Sequence, residues 1–389
     1  MVKPLFALSR RNFLVRASIG SSALLAPDWL HALDQPFSPA LSQVDPRFQQ
    51  VLASTIAIDM HNHIYPTGTE PHPDFGHGPQ GGSPAKDPPS LPLGEELRHS
   101  GLTAVCAAIT IDFAPNNKPG DARDYFLHWL DAIDGELAKG HIQRALTLHD
   151  LETAHASHKP VIVQATEGAH FLEGHIERIE EVYKRGLRHM QPLHDRDDKV
   201  KPLGDVVTQP SHLGGLTAFG AEVIQECNRL GILVDMAHAS PETVQGAVKV
   251  AKRPFIVSHT NLDSWTGKDL HMAEMMKAHL ISKEHAKVVA DAGGVVGVWT
   301  HLTDSVHEFV ESVKAMVDAI GVDHTGIGTD TDLLNPDHGT DRAWPGFNST
   351  FFPAVVAEML RQGFTPEEIR KIAGGNYCRV FGEATANRS

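Results

Sequence analysis

Histidine and carboxylate side chains are the residues of this sequence whose types and spacing point most clearly to chemistry. The chain has 389 residues, 25 of them histidine, and several of these follow short apolar runs beside an Asp or a Glu. The positions are Asp59-Met60-His61-Asn62-His63, Glu167-Gly168, His194-Asp195, Asp235-Met236-Ala237-His238, Ser258-His259 and Asp330-Thr331-Asp332. Imidazole and carboxylate together bind transition metals, with water or substrate completing the coordination shell. These residues therefore predict metal-activated water.

Signatures of competing chemistries are missing from the sequence. It contains no G-x-S-x-G nucleophile elbow, no Walker phosphate loop and no H-E-x-x-H zinc motif. The three cysteines, Cys106, Cys227 and Cys378, are too few and too scattered for a disulfide framework or a thiolate zinc site. The net charge of −14 argues against binding of nucleic acid.

Short apolar runs, often β-branched, precede these polar positions, and helical patterns follow most of the runs. Apolar strands without in/out alternation, separated by helices, are typical of a parallel sheet covered on both faces. Eight such units predict an α/β fold, specifically a (β/α)8 TIM barrel, with an open doubly wound sheet as the alternative. The runs are Ile56–Met60, Thr103–Ile109, Val161–Ala165, Leu187–Leu193, Ile232–Met236, Phe255–Ser258, Val295–Trp299 and Thr325–Gly328. A ninth run, Gln143–Leu148, is interpreted as a crossover or an edge strand.

Helical periodicity is visible in three segments, Glu173–Arg185, Ala218–Leu230 and Ser305–Ile320. Their apolar stripes indicate packing of helices against the barrel. Because the carboxyl ends of barrel strands share one face, we expect the histidines and carboxylates to meet there.

The segment Tyr65–Gly94 interrupts this pattern with eight prolines and six glycines, and it includes His72 and His77. Such a composition excludes a helix or a central strand. Because it follows the first strand, we interpret it as a lid or wall over the catalytic face, or as a disordered insertion. His72 and His77 are expected to be solvated loop residues rather than ligands.

The first 32 residues resemble a twin-arginine export signal, with Ser9-Arg10-Arg11-Asn12-Phe13-Leu14 ahead of a modestly apolar stretch. A basic N-terminal arm is the alternative. We expect residues 1–32 to be cleaved, 33–50 to form a linker and 51–383 to form one hydrolase domain. The export machinery would be a partner, and the destination periplasmic or extracellular. No run of 18 apolar residues indicates a membrane-spanning helix.

From about Ile56 to Phe381, the chain resembles the membrane (renal) dipeptidase family of zinc metallopeptidases, within the amidohydrolase superfamily. The resemblance is strongest from Gly215 through Asn228-Arg229-Leu230-Gly231-Ile232 to Ser240. Further matches are Pro254-Phe255-Ile256-Val257-Ser258-His259, Gly326-Ile327-Gly328-Thr329-Asp330 and Gly375-Asn376-Tyr377-Cys378-Arg379-Val380-Phe381.

The resemblance implies a (β/α)8 barrel with two zinc ions per chain. It implies that Glu167 bridges both metal ions. His61 and His63 would complete the ligands of one ion, and His238 and His259 those of the other. His194 matches the histidine that contacts the scissile carbonyl of the substrate. Asp330 matches the carboxylate that orients the bridging water and shuttles its proton. Homodimers are frequent in the family, although the sequence itself indicates no interface.

Two positions depart from the family pattern. The family usually has His-x-Asp at the first strand, so His63 replaces an anionic ligand by a neutral one. The family's arginine for the substrate carboxylate aligns with His279, which is expected to bind substrate or to be a surface histidine. Either Lys268, Lys277 or Lys283 then takes over that role, or the substrate lacks the carboxylate.

Together these observations predict an exported metal-dependent amide hydrolase that cleaves dipeptides or small acyl-amino compounds. Asp330 would be the proton shuttle, His194 would stabilise the oxyanion, and His194 and His279 would contact substrate. One alternative is a superfamily hydrolase or tailoring enzyme that acts on a lactone or another non-dipeptide substrate. A second is an exported binding protein without turnover.

Overall fold

The computed structural model describes residues 45–64, 92–112, 114, 118–333, 339–344, 347 and 350–386. The expected export signal, most of the linker, and His72 and His77 of the proline-rich segment lie outside these residues. Among the helices that are described, none combines the length and the apolar character needed to cross a membrane.

Parallel strands alternate with helices along the described chain. The strands are β1 Ile58–Ile64, β2 Ala104–Thr110, β3 Val161–Glu167, β4 Leu187–Gln191, β5 Leu233–Val234, β6 Ile256–Thr260, β7 Val295–Val298, β8 Thr325–Ile327 and β9 Thr331–Leu333. The helices are α1 Phe48–Ala53, α2 Leu93–His99, α3 Asp121–Gly140, α4 Leu148–Ser157, α5 Arg178–Lys184, α6 Ala218–Leu230, α7 Pro241–Val250, α8 Leu270–Met276, α9 Lys283–Asp291, α10 Val306–Ile320, α11 Phe351–Arg361, α12 Pro366–Arg370 and α13 Asn376–Thr385.

Local sequence explains where the helices on the barrel begin and end. The side chain of Thr217 accepts the backbone N–H of Gly220 at the start of α6, and Gly231, with φ 87°, ends that helix. Ser240 caps α7, whose first residue is Pro241, and Ser305 caps α10 in the same way as Thr217 caps α6. Each of these helices therefore has a defined position relative to the strand before it.

The strands form two hydrogen-bonded sheets, in the orders β5-β4-β3-β2-β1-β9 and β6-β7-β8. All described ladder pairs are parallel. A single parallel bridge between Asp235 and Ile256 joins β5 to β6. At the other seam, Asp330 donates its backbone N–H to the carbonyl of His61 at 3.0 Å. The predicted α/β fold of the barrel type is confirmed, although ladder hydrogen bonds do not close the ring.

The interior of the barrel is narrow where β6, β7 and β8 meet. A Cβ atom on Gly297 or on Gly328 would overlap the carbonyl oxygen of Ser258. Only glycine therefore permits these three strands to approach so closely. Tyr377 and Phe381 of α13 belong to the same apolar core cluster as Ile58 and Val163.

All eight predicted strand runs overlap observed strands. The run Gln143–Leu148 forms only an isolated bridge between Arg144 and Ile162, so it is an edge contact. The short strand β9 was not predicted, and it pairs with β1 through Asn62 and Thr331. Of the three predicted helices, α6 has the predicted bounds and α10 begins one residue late. The third, predicted over Glu173–Arg185, is shorter than expected and corresponds to α5, Arg178–Lys184.

Candidate metal centre

Glu167, the last residue of β3, lies at the centre of a cluster of histidines. Its carboxylate is 4% exposed, and Oε1 lies 3.4 to 3.7 Å from the Nε2 atoms of four imidazoles: His61, His194, His238 and His259. Oε2 lies 3.8 Å from Nε2 of His63 and accepts the Thr110 hydroxyl at 2.7 Å. Residues from five strand ends thus converge on one carboxylate, as the barrel prediction required.

The charge on Glu167 is stabilised by these neighbours. Burial alone would raise the pKa of Glu167, but the positive potential of His194, His61 and His63 outweighs it and lowers the pKa well below its usual range. The carboxylate is therefore ionised at neutral pH and available as a bridging ligand.

His61 and His63 project from β1 towards both Glu167 and Asp330. Nε2 of His63 lies 3.3 Å from Asp330 Oδ1, and Nε2 of His61 lies 3.7 Å from the same oxygen. Burial lowers the pKa of His63, but the hydrogen bond to Asp330 and the charge of Glu167 raise it overall to about 9. The backbone at Asp330 has φ 56°, a left-handed conformation that turns its side chain into the cluster.

His238 and His259 lie on the other side of Glu167. Their Nε2 atoms face each other at 2.9 Å, and His238 also has a left-handed backbone, with φ 63°. The Nδ1 atom of His238 donates to Asp195 Oδ1 at 2.9 Å, because a carboxylate only accepts. In the neutral imidazole, Nε2 of His238 then carries the lone pair that a metal requires.

Hydrogen bonds from outside the cluster orient its other members. Asp112 Oδ1 accepts from Nδ1 of His194 at 2.8 Å, and the Ser258 hydroxyl lies 2.8 Å from Nδ1 of His259. Nε2 of His301 lies 2.9 Å from Asp330 Oδ2. Such partners fix the ring orientation and the tautomer of ligand histidines.

His279 lies beside the cluster rather than on the open surface. Its side chain is 16% exposed, Nε2 donates to Asp195 Oδ1 at 2.9 Å, and its ring centroid is 5.1 Å from that of His238. Two of the three lysines considered as replacements for the family arginine are paired with carboxylates: Lys268 with Glu308, and Lys277 with Glu274.

The donor set fits one or two divalent cations. Nε2 of His61 is buried without a hydrogen-bond partner among the described residues. Its distance of 3.4 Å to Glu167 Oε1 is longer than that of a normal hydrogen bond. Two groups that share Glu167 have ligand atoms close enough to hold an ion. The first consists of His61, Glu167, His259 and Asp330, and the second of Glu167, His194 and His238. A third group, Asp195, His238 and His279, adjoins them. The predicted division of histidines between two metals remains a prediction, since these groups assign His194 and His259 differently.

A sequence profile of the membrane dipeptidase family, peptidase family M19, matches residues 46–389. The chain belongs to the membrane dipeptidase family. The family recognised from the sequence is therefore confirmed, and the enzyme class of that family is a metal-dependent hydrolase, as predicted. A dipeptidase, verJ, from Clonostachys rogersoniana is 29% identical over 231 residues, which span 55% of this chain and 53% of that protein. The match thus covers about half the length of this curated relative.

Solved structures share the fold of this chain. An amidohydrolase from Pseudomonas aeruginosa has a TM-score of 0.68 at 21% identity, covering 87% of this chain and 98% of that chain. The probable dipeptidase PvdM from Pseudomonas aeruginosa has a TM-score of 0.68 at 17% identity, covering 88% and 99%. A metallopeptidase from Rhodobacter sphaeroides, liganded with a phosphinate mimic of the dipeptide L-Ala-D-Ala, has a TM-score of 0.62 at 18% identity, covering 85% and 99%.

Sequence reasoning did not assign a role to Asp112, Asp195 or His301. Asp112 lies two residues after β2, a strand end for which the sequence analysis listed no polar residue. His301 lies three residues after β7 and was missed for the same reason. Examining the residues that follow each of the eight runs would have identified both.

Proposed function

We propose that this chain is a zinc-dependent amide hydrolase that cleaves dipeptides or small acyl-amino compounds, with two metal ions per chain. The observation that carries the proposal is the arrangement around Glu167, whose two oxygens lie within 3.8 Å of five imidazole nitrogens. Family membership supports a peptidase activity. When bound, a pair of cations lowers the pKa of a shared water towards neutrality and so supplies a nucleophile at neutral pH.

Asp330 is placed to accept and transfer the proton of that water. Its Oδ1 faces His61 and His63, and its Oδ2 is held by His301, so the carboxylate has one defined orientation. In the proposed reaction, Asp330 accepts a proton from the nucleophile and later donates it to the leaving amine.

His194 is placed to stabilise negative charge on the substrate oxygen. Burial lowers the pKa of His194, but the charges of Asp112 and Glu167 outweigh burial and raise it well above its usual range. An imidazolium whose Nδ1 donates to Asp112 directs its second N–H, on Nε2, into the cluster beside Glu167 Oε1, where the oxyanion would develop.

The second candidate function is hydrolysis of a lactone or another substrate without a free carboxylate. The observation that favours it is the pairing of His279 with Asp195, which leaves no guanidinium at this position to hold a carboxylate.

Substrate profiling tests the proposed function. Metal-loaded protein is assayed with dipeptides, N-acyl amino acids and lactones, before and after removal of metal with a chelator. The proposal requires chelator-sensitive hydrolysis of at least one amide, with activity restored by Zn²⁺. Turnover of lactones alone would instead support the second candidate, and metal-independent turnover would contradict both.

We also propose that the chain is exported through the twin-arginine route to the periplasm or the medium. The supporting observation is Arg10-Arg11 ahead of an apolar stretch of small residues. The double substitution Arg10→Lys/Arg11→Lys should leave the protein inside the cell, as followed by fractionation and immunoblotting. Unchanged export of that variant would contradict the proposal.

A further inference from the structure

The wall of the site next to His238 is formed by Asp195 and His279. Oδ1 of Asp195 accepts two hydrogen bonds of 2.9 Å, one from Nδ1 of His238 and one from Nε2 of His279. The backbone carbonyl of Asp195 accepts from the Thr208 hydroxyl at 2.8 Å and from the Gln209 amide at 2.9 Å. The carboxylate is therefore held in place one imidazole ring away from the Glu167 cluster.

The second oxygen of Asp195 remains available to a ligand. All the hydrogen bonds described for this side chain end on Oδ1, and the side chain is 36% exposed. The neighbouring cluster residues are far less accessible, with His238 at 7%, His194 at 9% and Glu167 at 4%. The Asp195 carboxylate is thus more accessible than the side chains of His238, His194 and Glu167.

His279 and two of the three lysines in its segment are already paired with carboxylates. His279 already uses its Nε2–H on Asp195. Of the lysines in the segment that carries His279, Lys268 pairs with Glu308 and Asp304, and Lys277 pairs with Glu274. A carboxylate brought to this position would face the negative charge of Asp195 at short range, and a buried charge is costly unless it is paired.

We propose that Asp195 sets the charge selectivity of the site. Its free oxygen accepts a hydrogen bond from an ammonium or another N–H group of the substrate, and its charge disfavours a free carboxylate at the same place. The inference rests on the proposed function, because it concerns which amides reach the Glu167 cluster. It names the substrate class as amides that are cationic or uncharged on the Asp195 side.

Binding of matched hydroxamates to the zinc-loaded protein tests this proposal without turnover. β-Alanine hydroxamate and succinic monohydroxamate have the same spacer and the same metal-binding group, but end in an ammonium and a carboxylate. By calorimetry, we expect the ammonium ligand to bind at least about tenfold more tightly. The variant Asp195→Asn should reduce that preference to within about threefold, because an amide carries no charge. The variant Asp197→Asn is the matched control, since Asp197 pairs with His212 outside the cluster, and it should keep the preference.

Tighter binding of the carboxylate ligand by the native protein would overturn the inference, and so would an unchanged preference in Asp195→Asn. If Arg196→Ala then abolished carboxylate binding, Arg196 rather than Asp195 would determine selectivity. Zinc content is measured for each variant, and if Asp195→Asn loses metal, the preference of the native protein decides the matter. If the protein hydrolyses amides but binds the carboxylate hydroxamate more tightly than the ammonium hydroxamate, only this inference is refuted. If the protein binds the ammonium hydroxamate more tightly but hydrolyses no amide, only the proposed function is refuted.

Discussion

The carboxylate of Asp59 on β1 accepts both the backbone N–H and the hydroxyl of Thr329, at 2.8 and 2.6 Å. Both residues are fully buried, and Thr329 directly precedes Asp330. The contact bridges β1 and the end of β8, two strands that share no described ladder pair, and so helps to hold Asp330 beside His61 and His63. Asp235 has the corresponding role at the β5–β6 seam, where it accepts the backbone N–H of Ser258 at 2.9 Å.

Loss of the Asp59 carboxylate should destabilise the barrel. Asp59→Ala leaves the N–H and hydroxyl of Thr329 without their acceptor in a dry interior, so we expect the free energy of unfolding to fall by about 2–4 kcal/mol. Urea denaturation of the metal-free protein measures this change. Asp291→Ala is the control, since that exposed carboxylate pairs with Lys287 on the surface of the protein and its loss should change stability by less than about 0.5 kcal/mol. Equal effects of the two variants would contradict a bridging role for Asp59.

Replacement of the central carboxylate should remove metal. Glu167→Gln keeps the shape of the side chain but loses its charge, so two cations would no longer share an anionic bridge. We expect metal content to drop below about one ion per chain and kcat/KM to fall by at least about 10³-fold. Elemental analysis and an amide hydrolysis assay measure the two effects. Glu226→Gln on the surface of α6 should change neither, and full metal retention in Glu167→Gln would refute the bridging role.

Substitution of Asp330 should separate metal binding from turnover. Asp330→Asn cannot accept the proton of the nucleophile, and general acid–base catalysis is typically worth about 10²- to 10⁴-fold. We therefore expect kcat to fall by about that factor while the metal content stays near that of the native protein. Asp318→Asn, at an exposed position of α10, serves as the control. A metal-replete Asp330→Asn variant with near-native kcat would exclude the assigned role.

The stability of the protein should fall in mild acid because of His285. Burial lowers the pKa of His285 from 6.5 to about 4. The unfolded chain therefore binds more protons than the folded chain between these values, and the stabilisation present above pH 6.5 is lost as pH falls towards 4. We expect a loss of about 2–3 kcal/mol from this residue. His285→Gln should show a shallower decline in urea midpoints from pH 6.5 to 4, and parallel curves for both proteins would contradict the assignment.

Much of the fold was predictable because each strand is an apolar run bounded by polar residues. The same regularity placed Glu167, His238 and His259 at strand ends, where a barrel brings them together. Pairing across the seams was not predictable, since Asp59 and Thr329 are 270 positions apart and only the closed geometry makes them neighbours. Asp112 and His301, the partners of His194 and Asp330, lie two and three residues beyond β2 and β7, and they were missed because no polar residue was considered after these two strands.

The central claim is that Glu167 holds two metal ions between histidines from separate strands. Anomalous X-ray diffraction at the zinc edge, from crystals of native protein grown with Zn²⁺, locates such ions directly. The account predicts two peaks about 3.5–4 Å apart, one on each side of the Glu167 carboxylate. Crystals with no anomalous peak within coordination distance of Glu167, despite zinc bound elsewhere on the protein, would contradict it.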